Sequence, residues 1–190
     1  MQASTIQTQK LEELILYLCD RSESDPAFCA TKLNRLLFHL DFTAYVRFGA
    51  SITGAQYRQE QHEPRLIGLA HVLAGLSSRG ALALRDGDDL NGRGRRLFAL
   101  RSANVDVLTP REVDLVNRVV DRCRGLSARE TADRLCDFPA VKIAEEDELV
   151  PYEIALVGQR LPTADEIRRA EDLVELGVGF RRAGHCQRCS

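Results

Sequence analysis

The sequence predicts an α+β fold that is predominantly α-helical and carries one small β-hairpin. Amphipathic stretches with helical periodicity lie on both sides of a segment dense in turn formers. Helix-start signatures follow that segment, and strands do not alternate with helices as in a βαβ protein. With 190 residues, the chain suits one compact helical domain over residues 1–160, with a C-terminal helix and flexible tail over 161–190 that pack on this domain or extend from it.

The first two helices are predicted from the spacing of their apolar residues. Residues 9–19 place leucines and an isoleucine on one stripe, the i, i+3, i+4, i+7 pattern of a surface helix. Residues 27–48 are apolar around so much of the helix circumference that we expect the central, largely covered helix there. Gly49 breaks this helix, and a short extended piece over 51–57 leads into a polar loop closed by Pro64.

A third helix is predicted over residues 65–78, where leucines recur at helical spacing and Arg79-Gly80 provides a stop. The stretches 81–84 and 96–100 alternate weakly between apolar and polar residues. Aspartate, glycine and asparagine crowd the segment between them, so a β-hairpin is expected.

Helix starts in the second half of the chain share a capping-box signature, in which a hydroxyl and a glutamate three residues later satisfy backbone N–H groups reciprocally. The pairs are Thr109 with Glu112, Ser127 with Glu130, and Thr163 with Glu166. They predict helices over 113–123, 128–137 and 165–176. The intervening residues 141–156 are expected to form an ordered loop that packs on the body.

Charge and hydropathy exclude several classes of protein. The formal net charge of −2 gives no reason to expect a polyanionic partner. No apolar run approaches the ~18 residues of a membrane span, and the first residues lack the basic-then-apolar pattern of a signal peptide. We therefore expect a cytoplasmic protein without membrane contact.

Cysteine usage points to packing rather than to disulfides or metal. Four of the six cysteines, Cys19, Cys29, Cys123 and Cys136, fall within apolar helical patterns, as buried thiols do in a reducing compartment. A thiol hydrolase built on Cys29 is a remote alternative, because His39 lies about 15 Å further along the same predicted helix.

A metal site has equally little support in the sequence. His185, Cys186 and Cys189 form half of a zinc-ligand pattern, and no second half completes four ligands. We predict no cofactor and no metal, with a site shared between two copies, or an incidental metal, as the alternative.

Catalytic motifs are missing from the sequence, and the hairpin gives the alternative function. There is no Gly-rich phosphate loop, H-E-x-x-H or G-x-S-x-G, so no enzymatic activity is predicted. Arg93, Arg95 and Arg96 could form the phosphate-contacting wing of a winged-helix-like DNA-binding transcriptional regulator. Aspartates in the same loop offset these arginines, so nucleic acid is not the expected partner.

The most specific signal is a series of motifs over about residues 30–155. KLNRLLFHLDF (32–42) is followed by ITGAQY (52–57), then by SARE (127–130) and LVPY (149–152). In order and spacing these segments resemble the Panacea domain of SocA-like antitoxins and phage-associated proteins. The histidine and tryptophan that often follow the SARE-like helix in that family are missing, and Glu63-Pro64 stands where the family has Gly-Pro.

The resemblance implies an antitoxin of a toxin–antitoxin system with a role in phage defence. Such a protein neutralises a cognate toxin, encoded by a neighbouring gene, by direct protein–protein binding. In the SocA-like case it also acts as a proteolytic adaptor that presents the toxin to a cellular protease. A homodimer is left open.

The predicted contact patch lies around the polar loop, since binding residues often sit on loops held by a rigid body and interfaces favour tyrosine and arginine. Its members are Tyr45, Arg47, Tyr57, Arg58, Gln61, His62 and Glu63. For Tyr45 and Tyr57, a core position with a satisfied hydroxyl is the competing interpretation.

Overall fold

The computed structural model describes residues 8–61, 63–86, 95–135, 138 and 145–157. Within these ranges it contains five α-helices and two antiparallel sheets. The elements are α1 (Thr8–Arg21), α2 (Ala30–Phe48), β1 (Tyr57–Glu60), β2 (Glu63–Leu66), α3 (Leu69–Ser78), β3 (Leu82–Asp86), β4 (Arg95–Ala99), α4 (Pro110–Cys123), α5 (Ala128–Arg134) and β5 (Leu149–Val150). The predicted α+β class is confirmed, whereas the comparison of the hairpin with a wing stays a prediction.

Helix α2 runs through the core, as its wide apolar face predicts. Its leucines at 33, 36, 37 and 40 are each at most 1% exposed, and it contacts β2, α4, α5 and the 3-10 turn Tyr152–Leu156. The predicted end at Gly49 is confirmed: this residue has a φ of +77°, and its N–H donates to the Tyr45 carbonyl at 2.9 Å. Glycine adopts this left-handed conformation without a Cβ clash. The helix begins at Ala30 instead of residue 27.

The prediction of a helix over 65–78 is wrong at its start. Glu63–Leu66 forms strand β2, which pairs antiparallel with β1, and α3 begins only at Leu69. Gly68, with a φ of +79°, separates the strand from the helix. A helical sequence pattern thus gives way to pairing with the adjacent strand β1, which places Leu66 in the core opposite Tyr57.

Asn34 on α2 closes the outer edge of β2. The three-stranded sheet has the order β2-β1-β5. The backbone N–H and carbonyl of Gln59 on β1 form hydrogen bonds on the side of β5. Pro64 lies opposite Gln59 on β2, so its carbonyl points away from β1. The Asn34 carboxamide donates to this carbonyl and accepts from the Leu66 N–H, both at 2.9 Å. An open strand edge would be a template for pairing with another chain, and Asn34 satisfies it from within.

The predicted β-hairpin is confirmed as strands β3 and β4. Their register runs from Leu82 opposite Ala99 to Asp86 opposite Arg95. Leu82 and Leu97 are buried, and β4 packs against α1. The turn residues 87–94 lie outside the described part of the chain.

Two of the three predicted capping boxes lie in the described residues, and both form. The Thr109 N–H donates to the Glu112 carboxylate at 2.7 Å. The Ser127 N–H donates to Glu130 at 2.8 Å, and the Ser127 hydroxyl accepts from the Glu130 N–H at 3.2 Å. Helix α5 ends at Arg134, short of the predicted residue 137.

Part of the sequence-based prediction falls on residues that the structure does not describe. These are the capping box at Thr163, the helix over 165–176 and the whole 161–190 segment. The ordered loop predicted over 141–156 is described from residue 145, and it contains the short strand β5 and a 3-10 turn. Across the described ranges, no helix combines the length and apolarity needed to cross a bilayer.

Lys32 is a buried cation that ties the start of α2 to the end of α4. It is 1% exposed, and its Nζ donates to the Asp25 carboxylate at 2.7 Å. It also donates to the carbonyls of Cys123 at 2.8 Å and Leu126 at 2.6 Å. The Cys123 carbonyl is the last of α4, where the helix dipole concentrates partial negative charge, so the ammonium acts as a C-terminal cap for that helix.

Lys32→Met is predicted to destabilise the fold by about 3–5 kcal/mol, because Asp25 becomes an uncompensated buried charge. Urea denaturation measures this change. The control Arg118→Met removes an exposed ion pair with Asp114 (2.8 Å) and should stay within about 1 kcal/mol of the parent. Equal losses in both variants would contradict the assignment.

Glu13 on α1 anchors the segment that follows β4. Its carboxylate accepts from the Arg101 guanidinium at 2.6 and 2.9 Å and from the Asn104 N–H at 2.7 Å. The hydrogen bond from Arg101 lowers the pKa of Glu13 below its ordinary value of 4.5, although burial opposes this shift. The folded chain therefore binds this proton less readily than the unfolded chain.

Glu13→Gln is predicted to flatten the acid limb of the stability profile. In the parent, the contribution of Glu13 is complete above the unfolded-state pKa near 4.5 and is lost as pH falls through the lower folded-state value. The free energy of unfolding, measured at a series of pH values below about 5, should therefore fall less steeply in the variant. Glu23→Gln, at an exposed position, is the control. An unchanged slope in Glu13→Gln would refute the prediction.

Candidate functional site

Asp41 on α2 is a fully buried carboxylate with three hydrogen-bond donors around it. Its Oδ1 accepts from the Thr53 N–H at 2.8 Å, and its Oδ2 accepts from the hydroxyls of Thr53 at 2.6 Å and Tyr57 at 2.8 Å. The KLNRLLFHLDF and ITGAQY segments therefore meet at one side chain. The spacing between these segments lets residues 52–57 fold around the Asp41 carboxylate.

The electrostatics of this cluster are those of a closed interior. Burial raises the pKa of Asp41, and the hydrogen bonds from Thr53 and Tyr57 oppose that shift. Burial and the neighbouring carboxyl of Asp41 raise the pKa of Tyr57 well above its ordinary value of 10, so its hydroxyl keeps the donated proton. Perturbed pKa values often mark catalytic groups, but Asp41 and Tyr57 are at most 1% exposed. A substrate could not reach them without opening the core.

Aromatic rings close over the carboxylate and bring in a third motif. Phe42 packs on Phe38 with ring centroids 4.2 Å apart and on Tyr152 at 4.8 Å. Tyr152, from LVPY, donates its hydroxyl to the Ala55 carbonyl at 2.5 Å. Burial raises the pKa of Tyr152, with a further contribution from Asp41. Strand β5 positions this tyrosine by pairing Val150 with Tyr57.

Three of the predicted contact residues are tied into the protein. Tyr57 lies in the core, which corrects its assignment to a contact surface: the hydrogen bond to Asp41 needs it there. Tyr45 is half-buried, stacks on Tyr152 with centroids 5.5 Å apart and donates to Glu153 at 3.3 Å. Glu63 forms an ion pair with Arg35 on α2.

The other predicted contact residues lie at the surface where they are described. Arg47 near the end of α2, Arg58 on β1 and Gln61 just after β1 are exposed. The Gln61 N–H donates to the Glu146 carboxylate at 2.6 Å, which ties this turn to the segment before β5. His62 lies outside the described residues. Arg47, Arg58 and Gln61 thus stay available as contact residues.

The arginines of the DNA-binding alternative occupy different environments. Arg96 is half-buried: its guanidinium lies 4.9 Å from the Phe98 ring centroid and 3.5 Å from the Asp25 carbonyl oxygen. Arg95 is exposed, and Arg93 falls outside the described residues. The ten residues of α3, which would be the recognition helix, include no lysine or arginine.

The described cysteines are free and buried. Cys19, Cys29 and Cys123 are at most 3% exposed, and burial raises the pKa of Cys19 to about 12. Cys29 stands at the N-cap of α2. The described ranges hold no cluster of three or more His, Cys, Asp or Glu residues that could bind a metal. Cys136, His185, Cys186 and Cys189 lie outside these ranges.

The anchoring roles of Asn34, Asp41 and Lys32 are not assigned by sequence reasoning. A signal for them exists: each is a polar residue on a helix whose apolar face predicts burial. Buried polar groups need partners, so such positions point to specific contacts, although the sequence does not identify the partners.

Comparison with known proteins adds no relative, since no family model, no curated protein and no solved structure matches this chain. The likeness to the Panacea domain therefore stays a proposal based on the motifs quoted above.

Tyr57→Phe is predicted to destabilise the fold by about 1–3 kcal/mol, because it removes one donor from a buried acceptor. Tyr45→Phe removes the same atom at a half-buried position and should cost less than about 0.5 kcal/mol. Chemical denaturation of the two variants beside the parent provides the comparison. A larger loss in Tyr45→Phe would show that the Asp41 cluster is not the anchor described here.

Proposed function

We propose that this chain is a non-catalytic binding protein, an antitoxin that neutralises a cognate toxin by direct contact. The observation that carries the proposal is the meeting of two motif segments at Asp41, which is 0% exposed, with the third motif packed against both through Tyr152. Groups that act on a substrate must reach a point where the substrate can bind. These groups face inward, so the motifs build a scaffold and leave function to the surface.

The surface around that scaffold suits recognition of another macromolecule. Arg47, Arg58 and Gln61 are exposed on the end of α2, on β1 and on the turn that follows. All three are held near a rigid aromatic core, as contact residues commonly are. The resemblance to the Panacea domain supplies the specific role of toxin neutralisation, and the presentation of the toxin to a protease is an extension of that role.

The DNA-binding alternative has less support from the described residues. Helix α3 contains no lysine or arginine, and the arginine that follows it, Arg79, pairs with Glu12 at 2.7 Å. Arg96 is engaged with Phe98 within the hairpin. DNA binding usually needs a clustered basic face, so we retain protein binding as the proposed function.

Co-expression with each neighbouring open reading frame tests this function. We expect one neighbour to arrest growth when induced alone, and this chain to restore colony formation and to co-purify with that product. Cys29→Ala should rescue as well as the parent, because the proposed action needs no thiol chemistry. If neither neighbour is toxic, or the toxic product is not neutralised, the antitoxin proposal is lost.

A further inference from the structure

The solvent-facing side of the three-stranded sheet carries two arginines and two large apolar residues. Arg58 on β1 lies directly opposite Arg65 on β2 and Leu149 on β5. Ile67 lies just past the end of β2, two residues after Arg65, and its N–H continues the pairing by donating to the Gln56 carbonyl at 2.9 Å. Ile67 is 41% and Leu149 is 54% exposed. These four residues are called the outer sheet face below.

One cation of the outer sheet face, Arg58, has no ion-pair partner within the described residues. Like charges directly opposite one another in an antiparallel pair destabilise a sheet. Arg65 has a distant partner, since its Nε lies 3.9 Å from the Glu60 carboxylate. Among the residues that the structure describes, no carboxylate forms an ion pair with Arg58. An exposed cation beside a second cation is a site that an anionic group would stabilise.

The hairpin shows how this protein stabilises a similar pair internally. Arg85 and Arg96 also lie opposite each other, on β3 and β4. Both guanidinium groups lie over the Phe98 ring, at 5.5 and 4.9 Å from its centroid, and a ring face attracts cations. No aromatic ring contacts Arg58 or Arg65 in this way among the described residues. The arginines of the outer sheet face thus lack the cation–π contact that Phe98 provides in the hairpin.

A partner can contact the face of the sheet more readily than its β2 edge. Asn34 occupies the outward backbone groups of Pro64 and Leu66, so a partner strand cannot pair there without displacing the asparagine. A partner would therefore contact Arg58 and Arg65 from above the sheet, through side chains.

The surroundings favour a protein partner over a nucleic acid. Glu60 and Glu63 end the same two strands, where they are engaged with Arg65 and Arg35. A phosphate backbone needs several cations, and Arg58 is the one arginine of this face without an ion pair among the described residues. Ile67 and Leu149 provide apolar contact area, which protein interfaces bury beside arginine anchors.

We propose that the outer sheet face binds an acidic segment of a protein partner, with carboxylates on Arg58 and Arg65 and apolar side chains on Ile67 and Leu149. This inference rests on the proposed function, for which it assigns the toxin-contacting face. The partner segment is expected to present acidic and apolar side chains on one side, because the outer sheet face places its arginines beside Ile67 and Leu149.

Charge reversal at one position tests the face while sparing the fold. Arg58→Glu places a carboxylate opposite Arg65, so its thermal midpoint should equal or exceed that of the parent. The matched control is Arg129→Glu, which makes the same charge change at an exposed position in the first turn of α5. There a negative charge suits the helix dipole.

Two readouts are combined: rescue of growth against the toxic neighbour, and binding of a fluorescein-labelled peptide of repeating Glu-Ser-Leu-Ser, which in extended form presents glutamate and leucine on one side. We expect Arg58→Glu to lose rescue and to weaken peptide binding at least ~10-fold, equivalent to about 1.4 kcal/mol, while Arg129→Glu keeps both. Binding should weaken with added salt. A lysine-leucine peptide should not bind.

The outcomes separate the inference from the proposed function. If no neighbour is neutralised by the parent chain, the antitoxin function fails, and the peptide assay alone decides whether the face binds acidic segments. Full rescue by Arg58→Glu would overturn the assignment of this face to the toxin, even if the peptide binds. Peptide binding that is absent or independent of Arg58 would overturn the acidic specificity, and so would Arg58-dependent binding of a labelled DNA duplex in place of the peptide.

Discussion

The rest of the structure depends on the hydrogen bonds to the carboxylate of Asp41. Burying an ionised group costs several kcal/mol, and hydrogen bonds to a charged group contribute roughly 1.5–3 kcal/mol each. The three donors from Thr53 and Tyr57 therefore offset part of that cost, although burial still leaves the pKa of Asp41 raised. The same contacts place Tyr57 so that β1 can pair with β2 on one side and β5 on the other. One polar interaction thus positions the central helix, the turn and the sheet.

Helix α2 uses its other buried polar residues in the same manner, each for a different element. Lys32 caps the end of α4, Asn34 closes the edge of β2 and Asp41 holds the turn after the helix. Because successive residues on a helix differ by about 100°, a rotation of α2 by one position would break these contacts together. The leucines supply the driving force for burial, and the polar contacts select a single orientation of the helix.

Much of the helical framework follows from local sequence, because helical periodicity and caps are local signals. The ends of α2 at Gly49 and the capping boxes at Ser127 and Thr109 are examples. Strand β2 could not be predicted in this way, since its conformation comes from pairing with the adjacent strand β1 and from Asn34, which lies 30 residues before Pro64. The same limit applies to the candidate site. Composition identifies Arg58 as a plausible contact, but its position opposite Arg65 depends on strand register, and the core position of Tyr57 depends on Asp41.

The separation between an inward-facing set of motifs and an outward-facing pair of arginines connects the fold to its proposed role. Amide hydrogen exchange at Thr53 tests most directly whether Asp41 anchors the fold. Thr53 lies in neither a helix nor a strand, and its N–H donates to Asp41. If the carboxylate is the anchor, this amide will exchange as slowly as amides in the middle of α2, and only when the whole domain opens. Exchange at the rate of an exposed loop amide would contradict that role for Asp41.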